Sequence, residues 1–366
     1  MQKCDFNSKL YVLIPTWDQT FLNKNIYKLV KKLNNYYSIH LLLDEIGSNP
    51  PFKYKVIGFL RKNSIFKFFR LTFYLSVICF FAKKKPVFFT YKGYQINILL
   101  AIISNLIPIK IITKTDSQPL HQSNNLKSFI RNKLILYSLN KSSLIITETQ
   151  YWLSHYQSKI KKTPIFLYSN GADLSIKRIN KLDNLPKKFI FFPGRLSYAK
   201  GVDKLANIFT RINNKNYDLV IAGSDSGDGS VIEAKRIISN NSMSNRVIWY
   251  ESIQEPGNLY YLYENAAITL LSSTEEGLPN RMCESIALGT PVISFDVGSV
   301  KHLLNERLGF LVKPFDLDLY VSFLDDYLGD EELQLSLSKN CKKYGKIYLD
   351  ENKIMPKLID NILKCL

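Results

Sequence analysis

Short apolar runs, rich in β-branched and aromatic residues, alternate along the chain with longer segments whose apolar residues recur every three or four positions. The short runs predict buried strands and the longer segments predict helices. Strands are predicted over 10–15, 39–43, 55–59, 87–90, 109–113, 144–147 and 165–168, and then over 189–193, 218–222, 246–250, 268–271, 291–294 and 309–312. Alternation of strands and helices is typical of parallel sheets. We therefore expect an α/β protein with two tandem doubly wound, Rossmann-like domains that face each other across a cleft.

A stretch rich in Asn, Gly, Asp, Pro and Lys, with weak periodicity, separates the two series of strands. Such a composition is typical of a linker between domains. It predicts a first domain at 1–170, a linker at 171–187 and a second domain at 188–345. Residues 346–366 have a helical pattern, and we expect them to form a C-terminal helix that packs back on the first domain.

The composition, with 46% hydrophobic and 22% charged residues, is that of a folded globular protein. The longest apolar run, at 71–82, is shorter than the ~20 residues that a membrane-spanning helix needs. No basic segment followed by an apolar one opens the sequence, so no secretory signal is predicted. The five cysteines are scattered and form no CxxC pair. They predict reduced thiols in a cytoplasmic protein, without structural zinc.

The formal net charge is +18, and the excess of Lys and Arg lies almost entirely in residues 1–180. Basic proteins bind nucleic acids, anionic membranes or acidic substrates. The densest cluster, at 61–70, mixes cations with aromatic residues and precedes the apolar run and three lysines at 83–85. This order suits the surface of an anionic bilayer, although a core helix flanked by solvated lysines would have the same pattern. The membrane interpretation predicts salt-sensitive binding to anionic vesicles that depends on Arg61, Lys62, Lys67 and Arg70.

Two carboxylates in the second half, Glu276 and Glu284, flank a predicted transition from a loop to a helix. A Gly and a Pro indicate the turn, and the apolar pattern predicts a short helix from Asn280 that ends at Gly289. A helix N-terminus offers unpaired N–H groups to a phosphate or a sugar hydroxyl, while carboxylates accept hydrogen bonds from hydroxyls. Taken alone, the two glutamates would also fit a solvated helix start.

Two other motifs follow strands of the second series. After the first of these strands, Gly194 introduces a turn that presents Arg195 and Lys200 ahead of a helix. A forked guanidinium and a compact ammonium group at a strand end suit a diphosphate, although exposed cations alone are common. After the next strand, a Gly-rich stretch that begins at Gly223 fits either a close backbone approach to a ligand or a tight turn. Neither dinucleotide nor P-loop fingerprint is present, which argues against a nicotinamide oxidoreductase.

Together these segments resemble the glycosyl transferases group 1 family, which contains retaining GT-B glycosyltransferases that use nucleotide-sugar donors. The resemblance covers most of 165–315. Residues 169–173 resemble the family's linker motif, 194–203 its phosphate-site motif and 276–284 its paired-glutamate motif. Three motifs in the family's order and spacing make the resemblance specific.

The resemblance implies that the second domain binds the donor and the first domain binds the acceptor. It implies that Arg195 and Lys200 hold the donor diphosphate, that Glu284 binds the ribose hydroxyls and that Glu276 binds the donor sugar. Backbone groups at 278–280 would lie beside the sugar and the phosphate. The expected donor-binding set is Gly194, Arg195, Lys200, Gly223, Glu276, Gly277, Leu278, Pro279, Asn280 and Glu284.

The first domain departs from the family pattern at the end of its first strand. The sequence at 14–20 is Ile-Pro-Thr-Trp-Asp-Gln-Thr, where many members have a glycine-rich loop at the donor phosphate. Family members often place a His or an Asp near the donor sugar, after the strand that corresponds to 109–113. Here Asp116 is the better candidate and His121 the weaker one, because Asp116 lies closer to the strand end. The expected catalytic residues are Asp116, Glu276, Arg195 and Lys200.

The resemblance implies transfer of a sugar from a UDP- or GDP-sugar to a saccharide acceptor with retention of the anomeric configuration. Two cations would stabilise the leaving diphosphate, and no Asp-x-Asp pair occurs in a suitable loop after a strand. We therefore expect neither a metal ion nor another cofactor.

The basic first half suits a lipid-linked acceptor and an anionic membrane surface. This interpretation predicts a peripheral protein at the inner face of the cell membrane that assembles a bacterial surface polysaccharide such as O-antigen or capsule. The alternative is a polyanion- or nucleic-acid-binding protein that uses the basic half. The site-like motifs lie in the half with almost no net charge and argue against that alternative, so no nucleic-acid partner is expected. They also argue against a relative that has lost activity.

Overall fold

The computed structural model describes residues 9–17, 25–46, 49–56, 65–82, 84–91, 94–115 and 125–365. The chain divides into two compact units. The first contains Met1–Tyr168 with Met355–Leu366, and the second contains Ser169–Ile354.

The first unit is built on a parallel sheet. Its strands are β1 Lys9–Trp17, β2 Ser38–Ile46, β3 Lys53–Val56, β4 Val87–Tyr91, β5 Lys110–Lys114, β6 Leu144–Thr147 and β7 Ile165–Leu167. Its helices are α1 Asn25–Leu33, α2 Ile65–Phe81, α3 Tyr94–Ile103, α4 Leu126–Asn140 and α5 Gln150–Lys159. The seven strands have the order β3-β2-β1-β4-β5-β6-β7. The central strands are buried because helices cover parallel sheets on both faces, whereas the edge strand β3 is exposed and carries two lysines.

The second unit contains a second parallel sheet. Its strands are β8 Phe189–Pro193, β9 Asp218–Ala222, β10 Val247–Tyr250, β11 Thr269–Leu271, β12 Val292–Phe295 and β13 Gly309–Val312. Its helices are α6 Val202–Arg211, α7 Ser230–Asn240, α8 Pro256–Asn265, α9 Asn280–Leu288, α10 Leu317–Gly329 and α11 Glu331–Tyr348. The last helix, α12 Glu351–Cys365, continues from the second unit into the first. There the Nζ atom of Lys110 donates to the carbonyl oxygen of Cys365 at 2.9 Å.

The six strands of the second sheet have the order β10-β9-β8-β11-β12-β13. The chain therefore winds outward from β8 in one direction and then returns to wind outward from β11 in the other. Ligands of such sheets bind at the carboxyl ends of the strands where the winding direction changes. In the second sheet this position lies between β8 and β11.

All thirteen strands predicted from the sequence correspond to strands in the described residues, and the α/β class with two doubly wound parallel sheets is confirmed. The least accurate prediction is that at 55–59, which overlaps β3 only in part, and residues 57–60 lie outside the described residues. The helix predicted from Asn280 is α9, and Gly289 ends it with a left-handed φ of 92°.

The apolar run at 71–82 lies mostly on α2. Leu71, Leu75 and Cys79 are buried in the core of the first unit, while the Phe73, Phe80 and Phe81 side chains on the same helix are 72%, 79% and 75% exposed. The core interpretation thus holds for one face of α2, and the other face is apolar and exposed. Residues 61–64 and the side chains of 65–70, which carry the predicted membrane-binding cations, lie outside the described residues. In the described part of the chain, no helix is both long enough and apolar enough to span a bilayer.

Candidate functional site

The motifs of the second unit lie in loops at the carboxyl edge of its sheet. The loop at 194–201 follows β8, the loop at 223–229 follows β9, the loop at 272–279 follows β11 and the loop at 296–299 follows β12. Because all six strands are parallel, these loops lie on one edge of the sheet. The first and third of them flank the change in winding direction between β8 and β11.

Backbone packing of the β8 and β9 ends explains both glycines of the predicted phosphate site. Gly194 has a φ of 124°, a conformation that favours glycine, and its N–H donates to the Ala222 carbonyl at 2.9 Å. A Cβ atom on Gly223 would lie 1.6 Å from the Gly194 carbonyl oxygen. Gly223 is therefore required by the approach of the two strand ends, and its predicted contact with the donor stays a prediction.

The loop after β9 also supports the loop that carries Arg195. The N–H of Leu196 donates to the Ser224 carbonyl at 2.8 Å, and the N–H of Ser226 donates back to the Leu196 carbonyl at 2.9 Å. The Asp228 carboxylate accepts from the Tyr198 N–H at 2.9 Å. These bonds fix the backbone on both sides of Arg195.

Asp228 is exposed, and hydrogen bonds from Ser230 and from the Tyr198 N–H lower its pKa to about 2. A lowered pKa in the folded state means that the unfolded chain takes up the proton first. The stabilisation is therefore complete above the ordinary carboxylate pKa and is lost as the pH falls through about 2.

We expect the difference in unfolding free energy between wild type and Asp228→Asn to be constant above about pH 5 and to shrink toward pH 2. Chemical denaturation across this range measures it. A difference that persists unchanged in acid would contradict the role of the Asp228 charge.

The structure brings Lys200 and Glu276 together from loops on either side of the change in winding direction. The Lys200 Nζ atom lies 2.6 Å from Glu276 Oε1, and the Ser273 hydroxyl donates to the same oxygen at 2.7 Å. The Glu276 side chain is only 11% exposed. Arg195, in contrast, is exposed and has no carboxylate partner among the described residues. One of the two predicted phosphate-binding cations is thus paired, and the other faces solvent.

The loop that carries Glu276 is tied to the loop after β8. The Thr274 N–H donates to the Ala199 carbonyl at 3.0 Å, and the Ser272 hydroxyl donates to the Gly201 carbonyl at 2.7 Å. Gly201 has a φ of 70°, and a Cβ atom there would lie 2.0 Å from the Ser272 carbonyl oxygen. These contacts hold the two loops together and so keep Lys200 beside Glu276.

A second support for Glu276 comes from the loop after β12. The Ser299 N–H donates to the Gly277 carbonyl at 3.1 Å. Gly298 has a φ of 59°, and a Cβ atom on it would lie 1.7 Å from the Glu276 carbonyl oxygen. Gly277 therefore holds this loop through its carbonyl oxygen, and the lack of a side chain on Gly298 leaves room for the Glu276 carbonyl.

Helix α9 begins immediately after this loop. The Pro279 carbonyl accepts from the N–H groups of Met282 and Cys283 at 3.2 and 3.3 Å. The side-chain amide of Asn170 donates to the Asn280 side chain, so the linker motif contacts the paired-glutamate motif. Leu278 and Pro279 are buried under this helix start.

Glu284 lies on α9 within a polar cluster. Its Oε2 atom accepts from the Tyr263 hydroxyl at 3.0 Å and from the Arg281 guanidinium at 3.2 Å. Burial and the Glu284 charge raise the pKa of Tyr263 well above its ordinary value, so this hydroxyl remains a donor. Arg281 is 40% exposed. A Cβ atom on Gly194 would lie 4.0 Å from its Nε atom, so Arg281 extends from Glu284 to the loop that carries Arg195.

Sequence reasoning missed three of these polar residues: Ser273, Tyr263 and Arg281. Arg281 could have been found, because it lies one helical turn before Glu284 and has the opposite charge. Nothing in the local sequence indicates that Tyr263 on α8 or the hydroxyl of Ser273 points at a glutamate.

The first-unit candidates Asp116 and His121 lie outside the described residues. The strand that precedes them, β5, ends at Lys114, which forms an ion pair with Glu148 just after β6. Both side chains are buried. The carboxyl edge of the first sheet therefore carries a buried ion pair.

Comparison with known proteins shows a family match within the second unit and curated relatives that align with about half of the chain. Residues 175–345 match the glycosyl transferases group 1 family. An uncharacterized glycosyltransferase of Haemophilus influenzae is 27% identical over 208 residues, which cover 56% of this chain and 57% of that protein. A D-inositol 3-phosphate glycosyltransferase of Corynebacterium glutamicum matches over 45% of its own length. The chain thus spans about half the length of these curated relatives.

Two other relatives align over more of their length. The capsular polysaccharide biosynthesis glycosyltransferase CapM of Staphylococcus aureus is 25% identical, with 77% of this chain and 78% of CapM covered. The N,N'-diacetylbacillosaminyl-diphospho-undecaprenol alpha-1,3-N-acetylgalactosaminyltransferase of Campylobacter jejuni is 25% identical, with 76% of this chain and 68% of that enzyme covered.

Solved structures share the fold across the whole chain. Anabaena HepE, solved in complex with UDP, has a TM-score of 0.72 at 13% identity, with 98% of this chain and 100% of HepE covered. At this identity the likeness shows the fold, which is that of GT-B glycosyltransferases. The family resemblance of the motifs is thereby confirmed: residues 175–345, which make up most of the second unit, match the glycosyl transferases group 1 family.

Proposed function

We propose that this protein is a retaining glycosyltransferase that moves a sugar from a nucleotide-diphosphate sugar to a saccharide acceptor. One observation carries the proposal. Glu276 and Glu284 are each held through a single carboxylate oxygen, which accepts from Lys200 and Ser273 in one case and from Tyr263 and Arg281 in the other. The second oxygen of each has no hydrogen bond among the described residues and is left to accept from ligand hydroxyls.

In this proposal Glu276 accepts from hydroxyls of the donor sugar, and Glu284 accepts from the ribose. Arg195 and Lys200 hold the diphosphate between them, assisted by the positive end of α9. As the bond between sugar and phosphate breaks, negative charge develops on the leaving diphosphate, and the two cations stabilise it. Such stabilisation requires neither a metal ion nor a covalent intermediate, so we propose metal-independent transfer from the front face. Asp116 stays the proposed catalytic residue of the first unit.

UDP is the nucleotide in the HepE complex, which supports a UDP-sugar as the first donor class to be tested. A GDP-sugar is the second class. The choice of sugar depends on side chains around Glu276 that the motifs do not define.

The proposed acceptor is a lipid-linked saccharide of a bacterial surface polysaccharide. CapM is named for capsule biosynthesis, and the Campylobacter enzyme is named for an acceptor on diphospho-undecaprenol. The exposed face of α2 would support a peripheral position at an anionic membrane, because its three exposed phenylalanines precede Lys84 and Lys85.

A thermal-shift screen against nucleoside diphosphates and nucleotide sugars tests the proposed function. A ligand at 100 times its Kd stabilises the native state by about 2.7 kcal/mol, so a matched donor should raise the melting temperature by several degrees. The product of the matched donor, examined by NMR, should keep the anomeric configuration. Absence of a shift with every nucleotide, in a folded sample, would contradict the proposal.

Arg281 offers a sharper test within the same site. Because it joins Glu284 to the loop of Arg195, we expect Arg281→Ala to weaken UDP binding by about tenfold, the cost of one hydrogen bond to a charged group. If Arg281 also contacts the diphosphate, the same substitution should weaken uridine binding less than UDP binding. Calorimetry measures both affinities, with Arg307→Ala, an exposed arginine outside these loops, as the control. Equal losses of affinity for UDP and for uridine would show that Arg281 acts only by positioning Glu284.

A further inference from the structure

Helix α4 has an exposed apolar face that the core of the first unit does not use. Its buried residues include Ile135 and Leu139, which pack into that core. The side chains of Leu126, Phe129 and Ile130 are 73%, 56% and 51% exposed. Leu134 and Tyr137 continue the same row, at 43% and 36%. The spacing of three and four residues places these five side chains on one face of the helix, opposite the buried one.

The chain extends this face beyond α4. The Asn105 side chain donates to the Tyr137 hydroxyl at 2.6 Å, which brings the turn after α3 beside the helix. Leu106 in that turn is 84% exposed. The α4 face is the set of exposed apolar side chains on this helix and in the neighbouring turn: Leu106, Leu126, Phe129, Ile130, Leu134 and Tyr137. Soluble monomers rarely expose a large group of apolar side chains on one helix face unless it binds something.

Cations surround the α4 face and acids are absent from its segment. Lys133 lies with its Nζ atom 4.6 Å from the centre of the Phe129 ring, and Lys141 lies 5.9 Å from that of Tyr137. Lys127 and Arg131 flank the row and are exposed. The sequence contains no Asp or Glu from 117 to 147. The partner of this face must therefore tolerate burial of apolar side chains and supply negative charge around them.

We infer that the α4 face docks on the surface of an anionic lipid bilayer, with α4 lying in the interface plane. The apolar row would enter the boundary between head groups and acyl chains, and the flanking cations would meet the lipid phosphates. An apolar protein partner would not explain the surrounding lysines, and a nucleic acid would not explain the exposed Leu and Ile side chains. This surface is distinct from the cluster at 61–70. The inference rests on the proposed function in one respect: a lipid-linked acceptor would explain why the protein docks on a membrane.

Vesicle sedimentation with three matched variants tests the inference. The first variant carries Leu126→Gln, Phe129→Gln and Ile130→Gln. The second neutralises the cations with Lys127→Gln, Lys133→Gln and Lys141→Gln. The control carries Ile232→Gln, Leu335→Gln and Ile347→Gln, which remove exposed apolar side chains of 74%, 74% and 54% exposure from helices of the second unit.

We expect the wild type and the control to bind vesicles of phosphatidylglycerol and phosphatidylcholine, and to release them as salt rises. The apolar variant should lose at least about tenfold in partitioning. The cation variant should lose its preference for phosphatidylglycerol over pure phosphatidylcholine vesicles. Thermal melting of each variant, with and without UDP, shows whether it is folded and separates this inference from the proposed function. If the α4 face binds vesicles but UDP does not change the melting temperature, only the proposed function is contradicted.

Four outcomes would overturn the inference, and the first two concern vesicle binding itself. One is wild-type binding by both α4 variants, and the second is no vesicle binding by any protein. The third is loss of binding only when Arg61, Lys62, Lys67 and Arg70 are neutralised, which would assign the membrane contact to that cluster. The fourth is concentration-dependent dimerisation in sedimentation equilibrium that the apolar variant abolishes while vesicle binding persists, which would make a second copy the occupant.

Discussion

Replacing Arg195 by alanine is expected to lower the rate of sugar transfer by about 10²- to 10³-fold, the usual effect of removing one preorganised charge from a transition state. Arg195 is exposed and has no carboxylate partner among the described residues, so its loss should leave the melting temperature nearly unchanged. Initial rates with the donor found by the screen, together with thermal melting, measure the two effects. Arg307→Ala is the matched control, because it also removes an exposed guanidinium and lies outside these loops.

Lys200→Ala should reduce transfer to a similar degree, with an added cost in stability. Its removal leaves the Glu276 carboxylate, which is 11% exposed, with Ser273 as its donor. We expect a loss of about 1 kcal/mol, because the pair is partly open to water. The addition of Glu276→Gln should restore stability and leave transfer impaired. Near-normal transfer by both the Arg195 and the Lys200 variants would remove the basis for assigning them to the diphosphate.

The fold could be predicted from the sequence because strand and helix patterns in parallel α/β proteins are local. Buried strands such as β8, which lies between Lys188 and Gly194, are continuous apolar runs, and their positions follow from composition and length alone. The short helix α9 was predictable for the same reason, since Gly289 ends it in a left-handed conformation. The motifs after β8 and β11 then indicated the position of the site, because strand ends in a parallel sheet meet at one edge.

The contacts within the site could not be predicted, because they join residues that are distant in sequence. Nothing near Lys200 indicates that its ammonium group meets Glu276 on another loop, and nothing near Tyr263 indicates Glu284. The spacing of apolar residues also fails to tell which face of a helix the core covers. On α4 the rows on both faces are apolar, and only the packing shows that Ile135 is buried and Phe129 is not.

The structure gives two glycines near the site roles that the sequence does not indicate. Gly298 carries no motif, yet its backbone passes so close to Glu276 that a side chain would not fit. Sequence reasoning assigned Gly223 to the ligand, whereas packing against Gly194 already accounts for it. The loops around the site are thus held by backbone contacts that permit only glycine at a few positions.

Gly298→Ala is accordingly expected to destabilise the second unit by about 2–4 kcal/mol and to weaken donor binding at least about tenfold. The new methyl group would lie 1.7 Å from the Glu276 carbonyl oxygen, and the φ of 59° disfavours alanine even without that clash. Relief of the clash must move the loop that positions Glu276 against Lys200, so stability and affinity should fall together.

Chemical denaturation and calorimetric titration with UDP measure the two effects of Gly298→Ala on folded protein at low temperature. Gly329→Ala serves as the control, because no atom lies within 4 Å of its would-be methyl group, and its effect should stay within about 0.5 kcal/mol. Loss of stability with full donor affinity would show that the loop at 276–277 can shift without consequence for the ligand. It would then follow that Glu276 does not bind the donor sugar through the geometry described here, because a displaced loop carries its carboxylate away from Lys200 and Ser273.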